Sequence, residues 1–112
     1  MDYKKEVINN ILSLKISGDL IGENNGSGLV ELLNDYINKG ITKCIIDISE
    51  VRYMNSSGIG VLITILTKLR NKEGEVVLVN PSDQVKKLLL ITKLNNIFTI
   101  YNTKEEAISS LK

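Results

Sequence analysis

In the middle of the chain, Cys44-Ile45-Ile46-Asp47-Ile48 is apolar on both sides of a two-residue alternation apart from Asp47. A strand of that composition needs cover on both faces; a one-sided surface strand would carry polar residues at every second position. Lys43 to Ile48 is therefore read as a buried strand, followed by a loop from Ser49 to Asn55. From Ser57 onward Ile59, Leu62, Ile63, Leu66 and Leu69 recur at helical spacing, and Val61 and Ile65 widen the apolar arc to roughly 200° at about 100° per residue. Most of that arc belongs to the core. Val61 and Ile63 lie at its two margins, so one of them is expected to stay partly exposed, while Gly60, Thr64, Thr67, Lys68 and Asn71 form the wet face.

The rest of the chain supplies the cover. Tyr3 to Ile8 and Ile11 to Ser17 read as two short strands joined at Asn9-Asn10, a favourable turn dipeptide, with Leu12, Leu14 and Ile16 on one face. Asn24 to Gly28 is a polar, glycine-rich junction, in which Gly26-Ser27-Gly28 is either an irregular first helical turn or a longer loop, the loop slightly favoured because glycine costs about 1 kcal/mol against alanine inside a helix. Leu29, Leu32, Leu33, Tyr36 and Ile37 then mark an amphipathic helix closing at Lys39-Gly40. After a strand from Glu75 to Asn80, Pro81 breaks the run and Ser82 is an N-cap for a helix carrying Val85, Leu88 and Leu89. Ile97 to Tyr101 is the last strand, and Thr103 with Glu106 has capping-box spacing before a terminal helix that turns Ala107, Ile108 and Leu111 inward. Strands alternating with helices imply an α/β fold: a mixed sheet covered by helices, its antiparallel part supplied by the two N-terminal strands. No linker or repeat divides the series, so residues 1–112 are expected to form one domain.

Two adjacent hydroxyls, Ser56 and Ser57, fall where loop turns into helix. At an N-cap or first turn a hydroxyl accepts a bond from an unpaired backbone N–H, and simple capping is the plainest role for either serine. The same place also suits a modification, because a helix N-terminus carries partial positive charge and free N–H groups that tolerate a phosphate. A phosphoserine adds roughly 1.5 to 2 negative charges near neutral pH and would change the surface more than the fold. If the unmodified loop packs into a partner, burying that charge without a cation costs a few kcal/mol, and about 2.8 kcal/mol is already 100-fold in affinity.

The run Ile46-Asp47-Ile48-Ser49-Glu50-Val51-Arg52-Tyr53-Met54-Asn55-Ser56-Ser57-Gly58-Ile59-Gly60-Val61-Leu62 resembles the signature of STAS domains, specifically the bacterial anti-sigma factor antagonists. Ile16-Ser17-Gly18-Asp19-Leu20 resembles the strand-end loop of that family, and Gly74-Glu75-Val76-Val77-Leu78-Val79 its fourth strand. Val85 to Leu89 and Leu94 to Ile100 resemble its third helix and last strand, so nearly the whole chain is covered. The resemblance implies a STAS fold with four to five strands and about four helices. It also implies that Ser56 is phosphorylated and that Asn55, Ser56, Ser57 and Gly58 form the centre of a docking surface, with Gly18, Asp19 and Leu20 in the neighbouring loop. The implied partners are an anti-sigma factor of the serine-kinase type, bound by the unphosphorylated protein so that a sigma factor is released, and a serine phosphatase that resets the switch. Where well-known members carry aspartate, this chain has Asn55, which removes one negative charge beside the phosphate and adds a hydrogen-bond donor. A kinase that reads the carboxylate would not read Asn55 the same way, so either the partner differs or the residue is not read. A second reading of the same fold is a constitutive scaffold, a STAS subunit of a lipid-transport ATPase complex or of a stress-signalling assembly.

Other function classes find little support. The formal net charge is +1 with charges scattered, which gives no electrostatic case for nucleic acid or an anionic membrane. The Lys4-Lys5 and Lys86-Lys87 pairs read as solvated faces, since polyanion-binding patches are usually larger. Met1 to Glu6 lacks the apolar core of a signal peptide, and no run approaches the ~18 apolar residues of a membrane span, so a cytoplasmic protein without membrane insertion is expected. Without secretion, the sequon-like Asn25-Gly26-Ser27 and Asn55-Ser56-Ser57 carry no meaning. Cys44 is the only cysteine and reads as a packed thiol. With no histidine in the chain, the familiar nucleophilic triads are out, and no catalytic residue is assigned. Asp19, Asp35, Asp47 and Asp83 fall on separate elements without calcium-loop spacing, and Ser57-Gly58-Ile59-Gly60 lacks the rest of any nucleotide fingerprint, so neither metal nor cofactor is expected. Asp47 is a candidate base or partner of the Ser56 loop, against the plainer role of bonding loop amides.

Overall fold

The computed structural model describes residues 2–21 and 24–111, the side chains of 24–27 excepted. Two strands, β1 (Asp2–Ile8) and β2 (Ile11–Leu20), pair antiparallel through a turn in which Asn9 and Asn10 have φ of 53° and 64°, the left-handed pair that a two-residue hairpin requires. Helix α1 (Asn24–Asn38) leads to β3 (Lys43–Met54), α2 (Ser56–Arg70), β4 (Glu75–Val79), α3 (Asp83–Ile91), a 3-10 turn (Leu94–Asn96), β5 (Thr99–Tyr101) and α4 (Lys104–Leu111). The sheet order is β1-β2-β3-β4-β5, with every pair after the first parallel.

Cover on both faces is what the β3 composition demanded. Helices α1, α2 and α3 pack on one face, burying Leu29, Leu33, Leu62, Ile65, Leu69, Val85 and Leu89 against Leu12, Leu14, Ile16, Cys44, Ile46, Ile48, Val76 and Leu78. Helix α4 covers part of the other, where Ala107 and Leu111 meet Ile11, Ile45, Val77 and Val79. Of the two marginal residues of α2, Val61 is buried and Ile63 stays 38% exposed.

Several boundaries differ from the sequence expectation. Ser49 to Asn55 is not a loop: β3 continues to Met54, and β2 runs beyond Ser17 to Leu20, because the two strands stay paired through Leu20↔Met54. The pairing shifts register between Lys15 and Ser17 and again between Gly18 and Asp19, and β4 accompanies β3 only as far as Asp47. The outer half of β3 is thus supported on one side only, which explains why its composition turns polar while Val51 and Met54 still point into the core. Gly18, at φ of 87°, accommodates one of these irregularities in a conformation that side-chain-bearing residues resist. Helix α1 begins at Asn24, so of the two readings of the glycine-rich junction the helical one holds and the slightly favoured loop does not; its side chains at 24–27 lie outside the described residues. The last strand is only Thr99–Tyr101, since the segment before it winds into the 3-10 turn that buries Leu94.

Candidate functional site

The sequence offered the N-cap or the first turn of α2 for Ser56 or Ser57, and the structure puts both in the first turn, with the residue before them as the cap. Asn55 is the N-cap, with extended backbone (φ −101°, ψ −178°) and a side-chain Oδ1 that accepts the Gly58 N–H at 2.8 Å. Its carbonyl accepts the Ile59 N–H at 3.0 Å, the first bond of the helix. With the cap taken by Asn55, Ser56 and Ser57 occupy the first turn and are both exposed. That turn holds no acidic side chain, whereas Lys68 and Arg70 lie in the last turn. The partial positive charge at the start of α2 is therefore not neutralised by a carboxylate of its own first turn.

The strand-end residues of β2 do meet this helix start. The Asn55 N–H donates to the Leu20 carbonyl at 3.4 Å. Gly58 lies against the same carbonyl: a Cβ there would fall 2.0 Å from the Leu20 oxygen and 2.8 Å from its carbon. Only glycine lets α2 begin this close to the end of β2. Gly58 and Leu20 are both buried, so they shape the surface and the outward side chains come from Ser56, Ser57 and their flanks.

Asp19 is engaged by a residue that sequence reading did not single out. Arg52 donates from Nε to Oδ1 and from an Nη to Oδ2, each at 3.0 Å, a two-pronged pair across the ends of β2 and β3. The Arg52 guanidinium hydrogen-bonded to it holds the Asp19 carboxyl below its ordinary value. The residues are 33 apart, and no local spacing announces the pairing. Beside it Tyr53 is 56% exposed and forms, with Arg52, Met54, Gln84, Val85 and Leu88, an open groove of about 370 Å³ between β3 and α3. Ser82 fixes the far wall, donating to the Val51 carbonyl at 2.9 Å while accepting the Val85 N–H as the expected α3 cap.

Asp47 plays the plainer of its two roles. Its Oδ1 accepts the Ser49 N–H at 2.9 Å, and its place on β3, two residues from Ile45, puts it on the α4 side of the sheet, away from the helices that frame Ser56. Cys44 is fully buried and burial pushes its thiol up to about 12. No helix among the described residues is long and apolar enough to cross a membrane.

The arrangement is an exposed hydroxyl on the positive end of a 15-residue helix, fixed to the neighbouring strand through backbone contacts. A phosphate added at Ser56 would meet amide N–H groups rather than a carboxylate of that turn.

Comparison with known proteins agrees with this geometry. A candidate anti-sigma factor antagonist of Thermotoga maritima is 27% identical over 110 residues, spanning 98% of this chain and 97% of its own. A homologous protein of Thermotoga neapolitana, named in the same way, is 32% identical over 81 residues, 72% of each chain. The crystal structure of a Thermotoga maritima protein so named superposes with a TM-score of 0.88 at 26% identity, covering 97% of this chain and 93% of that one. The STAS domain profile matches residues 2–107, and with the five-stranded mixed sheet and its helices this establishes that the chain belongs to the STAS domain family.

Proposed function

We propose that the chain is an anti-sigma factor antagonist that works by partner switching. Unphosphorylated, it binds an anti-sigma factor of the serine-kinase type through the surface centred on Asn55, Ser56, Ser57 and Gly58 and frees a sigma factor. The kinase then phosphorylates Ser56 and ends the binding, and a serine phosphatase restores it. The protein is substrate and ligand in this cycle rather than catalyst. The observation that carries the reading is the exposure of Ser56 in the first turn of α2 while Asn55 serves as the cap, which leaves the serine hydroxyl without a capping duty. The Arg52–Asp19 pair and exposed Tyr53 supply a polar and an aromatic flank to the docking surface.

Asn55 supports rather than opposes this role. Its Oδ1 does the capping that an aspartate would do, without placing a second negative charge beside the phosphate. The test is quantitative affinity purification from the native cell with Ser56→Ala and Ser56→Asp baits. Capture of a kinase-like anti-sigma factor by the first and not the second is expected. Equal retention of the same transport or scaffold subunits by both would replace the switch with a constitutive scaffold.

A further inference from the structure

The second face of the sheet is only partly covered. Beside the start of α4, the apolar row Ile11, Ile45, Val77 and Val79 gives way to polar positions, and Lys4 and Glu6 of β1, Ser13 and Lys15 of β2, Asp47 of β3 and Lys104 of α4 enclose an open cavity of about 300 Å³. Ser13 stands out: it is 6% exposed, the one buried polar side chain among the described residues, and makes no hydrogen bond to any of them. No fully occluded side-chain oxygen or nitrogen there lacks a partner, so the Ser13 hydroxyl reaches into the cavity that it lines. The hydroxyl is thus open to whatever fills the cavity and offers it one donor and two acceptor positions from the floor.

The amines around it are held unequally, Lys104 half-buried against Glu6 and Lys15 exposed. Lys104 pairs with Glu6, and Lys15 with Glu50 at 3.4 Å, with the two side chains of that second pair 45% and 59% exposed. Lys4 pairs with no carboxylate among the described residues, and the Lys5 amine lies 6.0 Å from the Tyr36 ring centroid instead. An exposed ion pair such as Lys15–Glu50 is worth about 0 to 1 kcal/mol, so a dianion with several acceptor oxygens can take Lys15 from its single carboxylate, while it shares Lys104 with Glu6. Glu6, Asp47 and Glu50 balance the amines of Lys4, Lys15 and Lys104 in formal charge, so preference for a dianion rests on its several acceptor oxygens, which can bond to more than one amine and to Ser13 at once, rather than on net charge. We propose that this cavity binds the phosphate group of a small molecule, with Lys4, Lys15 and Lys104 supplying charge and Ser13 a hydrogen bond from the floor. The cavity is larger than phosphate alone and stands at the lower end of the size range of small-molecule sites, which leaves room for the group that carries it.

The site lies on the opposite face of the sheet from the helices framing Ser56, so it stands or falls separately from the partner switch. The test is an amide NMR titration with inorganic phosphate against acetate at matched pH and ionic strength. Saturable shifts at Ser13, Lys15 and Asp47 with phosphate and not acetate are expected. Affinity should fall about tenfold, the equivalent of 1.4 kcal/mol, in a Lys4→Ala/Lys15→Ala double variant, and more modestly in Ser13→Ala. Shifts that do not saturate, that acetate reproduces, or that survive in the double variant overturn the proposal. Both lysines are exposed, so that variant should fold even if Ser13→Ala does not.

Discussion

The carbonyl oxygen of Leu20 lies so close to Gly58 that a Cβ on the glycine would fall 2.0 Å from it. Two distant parts of the chain, the end of β2 and the start of α2, are thereby locked into one unit, and the Asn55 N–H to Leu20 contact reinforces it. Gly58→Ala should force the two apart. A loss of about 1–3 kcal/mol, typical of overpacking, is expected in urea denaturation, with altered amide shifts at both Leu20 and Asn55. Unchanged stability would mean that the close approach is not maintained in solution.

Capping and modification separate cleanly by mutation. Asn55→Ala removes the acceptor of the Gly58 N–H and should cost about 0.5–2 kcal/mol. Ser56→Ala removes an exposed side chain that caps nothing, so its effect on stability should stay within about 0.5 kcal/mol. Thermal or chemical unfolding of the two variants gives the comparison directly, and a larger loss for Ser56→Ala would return the serine to the role of a cap.

The Asp19–Arg52 pair makes a pH prediction. Because the Arg52 hydrogen bonds depress the Asp19 carboxyl below 3.8, the folded protein takes up that proton at lower pH than the unfolded chain. The pair's stabilisation is therefore present above about pH 4 and fades as pH falls through the lowered value. Carboxyl NMR titration should find Asp19 below 3.8 in the wild type and back near that value in Arg52→Ala. With both groups well exposed the effect on stability is small, and the titration is the sharper measurement.

Cys44 makes the opposite one. Its thiol is raised from 9.0 to about 12 by burial, so it stays protonated in the folded state where an unfolded thiol would ionise. Stability from this group is full below about pH 9 and is lost as pH rises from there towards 12. Ellman's reagent at pH 8 should leave Cys44 unmodified until denaturant is added. Rapid labelling of the native protein would show that β3 opens readily.

Local chemistry made much of the fold legible. Thr103 and Glu106 form the expected capping pair, the Glu106 N–H donating to Thr103 Oγ1 at 3.2 Å and the threonine hydroxyl donating to Glu106 Oε1 at 3.2 Å. Ser82 caps α3, and Asn9-Asn10 make the hairpin turn, as their residue types indicated. The motif around Ser56 was legible for the same reason, since its residues are contiguous. The choice between cap and first turn stayed open for the serines because asparagine and serine are both good caps, and only the extended backbone at Asn55 gives the cap to the residue before them. The outer half of β3 was missed because its polar residues look like a loop when the pairing partner, the end of β2, is not known to lie beside it.

The sequence by itself determined the order of strands and helices, the two-sided burial of β3 and the presence of an exposable serine pair at a helix start. Those features depend on periodicity and turn chemistry within a few residues. Only the tertiary structure decided that Leu20 abuts Gly58, that Arg52 grips Asp19 and that Ser13 faces a lysine-lined cavity. The residues of each relationship are brought together by strand register and by the limited reach of α4, which depend on pairing and packing across the whole chain rather than on local residue pattern.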